Sequence, residues 1–137
     1  VAARQWLATC LYQQGEPAEA CELFLTTLDY ARAHGYTQGI IDIQTKLATI
    51  YLDQQADQLA EQALAESDAL AHQYRDRACI AQVKRLYARL HTLRGELAEA
   101  EEALGEALDL FERLGMRREL AEVYQVREGL VEVAAGA

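Results

Sequence analysis

At 137 residues the chain is long enough for one domain with a continuous apolar core, and its composition (51% hydrophobic, much of it alanine, with one proline and eight glycines) gives an all-α expectation. Thirteen Lys and Arg against 22 Asp and Glu leave a net charge of -9, the wrong sign for neutralising phosphates, so direct nucleic-acid binding is not expected. No apolar run approaches the roughly 20 residues that span a bilayer and no secretory leader is evident, so a soluble, cytoplasmic setting is expected.

The apolar spacing predicts helices over about 2–14, 17–34, 38–54, 57–74, 77–94, 97–114 and 117–134. The chain begins at Val1 rather than Met, which suggests a piece of a larger protein. In the first helix Trp6 is either an end-of-stack core residue or a contact to sequence upstream. Gly15 suits the left-handed position past a helix end, Pro17 the first turn of the next helix, and Gly35 the end of that second helix. Thr37 is a plausible N-cap for the third. The next two turns have Gln55 and Arg75 in place of glycine and should be the least regular. Asp76 is a plausible N-cap, and Gly95 and Gly115 punctuate the fifth and sixth helices as Gly15 and Gly35 do the first and second. In the last helix Arg127 and Glu128 replace apolar and small residues, which suggests a polar terminal cap with no partner helix following.

These elements repeat. Gly15, Gln55 and Gly95 lie 40 residues apart, and the register holds without a gap: Ala8, Ala48 and Ala88; Ala20, Ala60 and Ala100; Phe24, Leu64 and Leu104; Thr27, Ser67 and Ala107. Gapless self-similarity at such a period is the mark of a solenoid. The chain therefore divides into units at about 1–37, 38–76 and 77–116, with a cap over 117–137. Alanine at 20, 60 and 100 lets the paired helix approach within roughly 8–10 Å.

A large-small pair in the first helix (Leu7-Ala8, Leu47-Ala48, Tyr87-Ala88), an aromatic near its end (Tyr51), a turn glycine, then Ala, a large apolar residue and a small one together resemble the tetratricopeptide repeat across the whole chain. The period of 40 rather than 34 and the lack of a closing proline are departures. Long units ending in phrases such as ALDLFERLGMRRELAEVY look most like the helical repeats of large bacterial signalling ATPases and maltose-regulator-type transcription activators. The resemblance implies a right-handed α-α superhelical solenoid of about three helix pairs plus a capping helix. It also implies a protein or peptide interaction scaffold within a regulatory protein; a dedicated peptide receptor and a self-association module using Leu52 and Leu93 are the alternatives.

By the same resemblance the first helix of each unit lines a groove, formed here by Gln5, Thr9, Tyr12 and Gln13, then Asp42, Thr45, Thr49, Leu52 and Asp53, then Gln82, Arg85, Arg89 and Thr92. Arg85 and Arg89, with Lys84 beside them, are its basic region; they either meet an anionic or peptide partner or pair with Asp42 or Glu122. The family's clamp for acidic chaperone tails is not implied: its positions fall on Gln5, Thr9, Lys46, Gln82 and Leu86, of which only Lys46 is basic. The acids of the second helices (Glu19, Glu22, Glu61, Glu66, Asp68, Glu99, Glu102, Glu106, Glu112) are expected on an exposed outer face.

No catalytic chemistry or cofactor is expected. The chain has no Walker-type phosphate loop, no GxGxxG, no GxSxG and no HExxH, and His34, His72 and His91 lack metal-ligand spacing. Three cysteines without a C-x-x-C spacing indicate neither disulfides nor zinc. Cys10, in register with Ile50 and Leu90, should be a small buried hydrophobe, while Cys21 and Cys79 should be partly exposed and inert.

Overall fold

Left-handed backbone at each turn sets where the helices stop. The computed structural model describes residues 2–125, and among these it is helical with no strand. The helices are α1 (Ala2–Gln13), α2 (Pro17–Ala33), α3 (Thr37–Asp53), α4 (Asp57–Gln73), α5 (Arg77–Leu93) and α6 (Leu97–Leu114), followed by α7 over 117–125. Every predicted element is present. The part of the last helix carrying Arg127 and Glu128 lies outside the described residues.

The six turns are built alike. After α1 the Gly15 N–H donates to the Tyr12 carbonyl at 3.1 Å and Glu16 N–H to Leu11 at 3.0 Å; after α5 Gly95 and Glu96 do the same to Thr92 and His91. This pair of bonds satisfies carbonyls that a helix end would otherwise leave open. The turns without glycine were expected to be the least regular, and they are not. Gln55 donates to Leu52 and Ala56 to Tyr51, Arg75 donates to His72 and Asp76 to Ala71, all at 2.8–3.1 Å. Gln55 and Arg75 adopt φ of 59° and 53°, the same left-handed region as Gly15 and Gly95. The hydrogen bonds and flanking packing thus impose the conformation on side chains that disfavour it.

Helix starts are less uniform. Pro17 stands in the first turn of α2, where its missing N–H costs nothing. Asp76 caps α5, its carboxylate accepting from the Cys79 N–H at 3.2 Å. Thr37 does not cap α3: it is the first helical residue, and the cap position belongs to Tyr36, which makes no side-chain cap bond.

The chain forms two compact units, Val1–Leu70 and Ala71–Ala137, the boundary falling within α4 rather than at either repeat junction. In the first, α1 packs on α2 and α2 on α3, around Ala8, Ala20, Phe24, Leu28, Ala31, Ile43, Leu47 and Ile50. In the second, α5 and α6 pair, with Val123 of α7 closing a core of Ala81, Ala88, Ala100, Leu104, Ala107 and Phe111. The register alanines and their small partners at 27, 67 and 107 are all wholly buried. Side chains this small are what let two helix backbones come together there.

Two residues depart from expectation. Cys10 is only partly buried, although Ile50 and Leu90 at its register positions are about 1% exposed. Trp6 is not core: it is 71% exposed. Both sit on the first helix of the repeat.

Candidate functional site

Side chains from α2, α3 and α4 enclose an open cleft of about 410 Å3 in the first unit. Its floor is apolar, with Leu28, Leu47 and Ala63 buried beneath it. Leu25 of α2 and Leu59 of α4 stand at its edges, 43% and 48% exposed. Exposed leucines in register with polar or small residues (Leu59 with Glu19 and Glu99, Leu25 with Ala65 and Gly105) are not needed by the fold.

A polar knot lies at one side of this cleft. Glu66 was expected on an open outer face, but its carboxylate accepts from Arg32 Nη2 at 2.7 and 2.8 Å and from Gln44 Nε2 at 2.9 Å, joining α4 to α2 and α3. Partial burial works to raise the Glu66 carboxyl, yet the Gln44 amide and the Arg32 guanidinium outweigh it and hold the group below its usual value. Tyr51 also lines the cleft, its hydroxyl 3.9 Å from the Cys21 sulfur. Burial first, then the neighbouring Cys21, push the phenol up to about 12, so it stays a neutral hydroxyl throughout the physiological range.

The residues predicted to line an inner groove are positioned differently from one another. On α1, Gln5, Thr9 and Tyr12 are half-buried; the Thr9 hydroxyl donates to the Gln5 carbonyl at 2.9 Å, and Tyr12 packs against the core. On α3, Asp42 accepts from Gln38 at 3.1 Å, and Thr49 donates to the Thr45 carbonyl at 3.0 Å. Thr45 donates to Ile41 at 2.8 Å and lies 3.0 Å from the Ser67 hydroxyl of α4, so it ties two helices together. Leu52 is 5% exposed and belongs to the buried side of α3; it is neither a groove contact nor a self-association residue, whereas Leu93 is exposed.

In the second unit Gln82, Arg85 and Arg89 follow one another at intervals of three and four along one face of α5. Arg85 is ion-paired with Glu122 of α7, and Lys84 with Glu106 of α6. Of the two roles open to Arg85 from the sequence, the structure fills the intramolecular one. Gln82 keeps an unmet need: its Oε1 is shielded from solvent with no hydrogen-bond partner.

Among the described residues no group of three or more His, Cys, Asp and Glu could hold a metal, and no helix is long and apolar enough to cross a membrane. The Cys79 thiol donates to the Asp76 carboxylate at 3.1 Å. Compared with known proteins, the chain matches no protein-family model and no curated protein.

Proposed function

We propose that the chain is a non-catalytic protein-interaction scaffold, built of tetratricopeptide-like units and serving a cytoplasmic regulatory or signalling protein of the bacterial transcription-activator kind. The observation that carries this reading is the α2–α3–α4 cleft, where an apolar floor and two exposed leucines stand beside a fixed polar knot. Apolar recesses with a few oriented polar groups are what peptide and helix ligands use for affinity and register. The acidic surface favours a protein partner over nucleic acid.

A peptide receptor using the face of α5 is a second reading, favoured by the unpartnered Gln82 carbonyl beside Arg85 and Arg89. A bound peptide N–H would satisfy that oxygen.

The two readings separate by mutation. A partner captured with the full-length protein is titrated against Leu25→Ser with Leu59→Ser, and against Arg85→Glu with Arg89→Glu. On the first reading the leucine pair weakens binding by about 1.5–3 kcal/mol while stability moves by roughly 0.5 kcal/mol or less per site, and the arginine pair leaves binding intact. Undiminished affinity in the leucine pair removes the cleft from consideration; a loss confined to the arginine pair selects α5.

A further inference from the structure

The side of α1 that carries Ala3, Leu7 and Cys10 has counterparts later in the chain, and there they are covered. On α3 the corresponding residues, forty positions on, are Ile43, Leu47 and Ile50, at most 1% exposed and packed in one cluster with Phe24, Leu28 and Ala31 of α2. On α7 the residue in register with Ile43 is Val123, 1% exposed and packed with Leu104, Ala107 and Phe111 of α6. In each case the covering element is the second helix of the preceding pair. On α1 the same positions are open: Ala3 is exposed, Leu7 is 49% exposed, Cys10 is half-buried, and Trp6 projects next to them.

Charge does not oppose the same kind of occupant. The second helices are acidic, with three acids to one base in α2 and six to one in α6. α1 has no acidic residue, and its one base, Arg4, stands over the Tyr30 ring at 5.4 Å. An acidic helix laid on α1 meets no like charge from it.

We propose that this face of α1 is a docking site for an acidic amphipathic helix of the α2 and α6 type, the second helix of another unit of this repeat. Its contact stripe is the one both helices share: small at 20 and 100, large at 24 and 104, small at 27 and 107, large at 28 and 108. Ala3 and Cys10 are smaller than Ile43 and Ile50, the residues at their register positions. The site shares no residue with the α2–α3–α4 cleft, so either can fail without the other.

Cys10 reports directly on coverage, because Ile50 at its register position is 1% exposed beneath α2, whereas Lys46 at the Trp6 position stays exposed there. The test places a second copy of residues 16–40 immediately before Val1 of the full chain, so that the added helix precedes α1 in the register in which α2 precedes α3. Alkylation of Cys10 by iodoacetamide, followed site by site by mass spectrometry, should slow severalfold, and the thermal midpoint should rise. The same extension with serine at the copies of Phe24 and Leu28 should return Cys10 to the alkylation rate of the unextended chain. The proposal fails if the native extension leaves the Cys10 rate unchanged or if the serine version protects it equally. It fails also if the unextended chain already protects Cys10 in a concentration-dependent dimer, since a second copy would then be the occupant.

Discussion

Gln55 and Arg75 hold left-handed backbone that four other turns assign to glycine, and replacing each by Gly should stabilise the protein. An L-residue in this region is disfavoured by roughly 1–2 kcal/mol. Against that, glycine gives the unfolded chain extra freedom that works against folding by about 0.5–1 kcal/mol. The difference is a gain of about 0.5–1 kcal/mol per site. The two turns flank α4, whose 17 residues span about 26 Å, so the gains should add. The double variant should therefore gain about 1–2 kcal/mol in urea unfolding followed by circular dichroism, with an unchanged slope. The converse is Gly95→Ala. An added Cβ there meets no atom within 4 Å, so the expected loss of about 1 kcal/mol is purely conformational. If Gln55→Gly and Arg75→Gly lower the midpoint, or Gly95→Ala leaves it unchanged, the account of these turns is wrong.

Other substitutions probe the packing and the polar links. Ala20→Leu should lose about 1–3 kcal/mol through overpacking, because Ala20 is wholly enclosed with Ala8, Phe24 and Leu28; urea melts showing no loss would refute the register. Glu66→Gln should lose about 1 kcal/mol near neutral pH, a modest value because both ends of the Arg32 pair are part-exposed. Since the folded-state Glu66 value is lowered from 4.5, its contribution is complete above that pH and disappears as pH falls through the lower folded value. The gap between wild-type and variant melts should accordingly close in acid, and a gap independent of pH would mean that the carboxylate charge is not what matters. Thr26→Glu should add up to about 0.5 kcal/mol by giving Arg4 the partner that Gln44 and Lys84 have in Glu66 and Glu106; a double-mutant cycle with Arg4→Ala showing no coupling would count against it.

The helices and their ends were legible because their causes are local and repeated. A 3–4 apolar spacing, a glycine past four of the six ends and an alanine at each close crossing all report on short stretches of chain, and the period of 40 allows one unit to check another. The misreadings came from treating a position by residue type when its register was informative. Thr37 looks like a cap, but Asp76, the true cap of α5, is in register with Tyr36, one residue earlier. Gln55 and Arg75 look like poor turn residues, but their register with Gly15 and Gly35 already specified a left-handed turn. The cleft was harder to foresee, because it depends on Leu25, Gln44, Tyr51 and Leu59 converging from three helices, which periodicity within any one helix does not encode.

Register also separates what the fold needs from what a partner could use. Where the three units agree, as at Ala8, Ala48 and Ala88, the side chains are wholly buried and serve packing that every unit shares. Where they disagree, the differences follow the environment. At 4, 44 and 84 the residue is Arg, Gln or Lys, the last two reaching across to the acid 22 positions on, while the residue 22 positions on from Arg4 is Thr26 and Arg4 lies over the Tyr30 ring instead. At 6, 46 and 86 it is Trp, Lys or Leu, and only Leu86 is buried. A tryptophan held 71% in water at a position where a later unit buries leucine has no role in the packing of this chain. Such an exposed aromatic carries a free energy of burial that only another molecule or segment can realise, about 1.5–3 kcal/mol for a side chain of this size class. Together with Leu25 and Leu59, exposed leucines where the other units carry small or acidic residues, it marks apolar surface that the repeat does not require and that the proposed interactions would use.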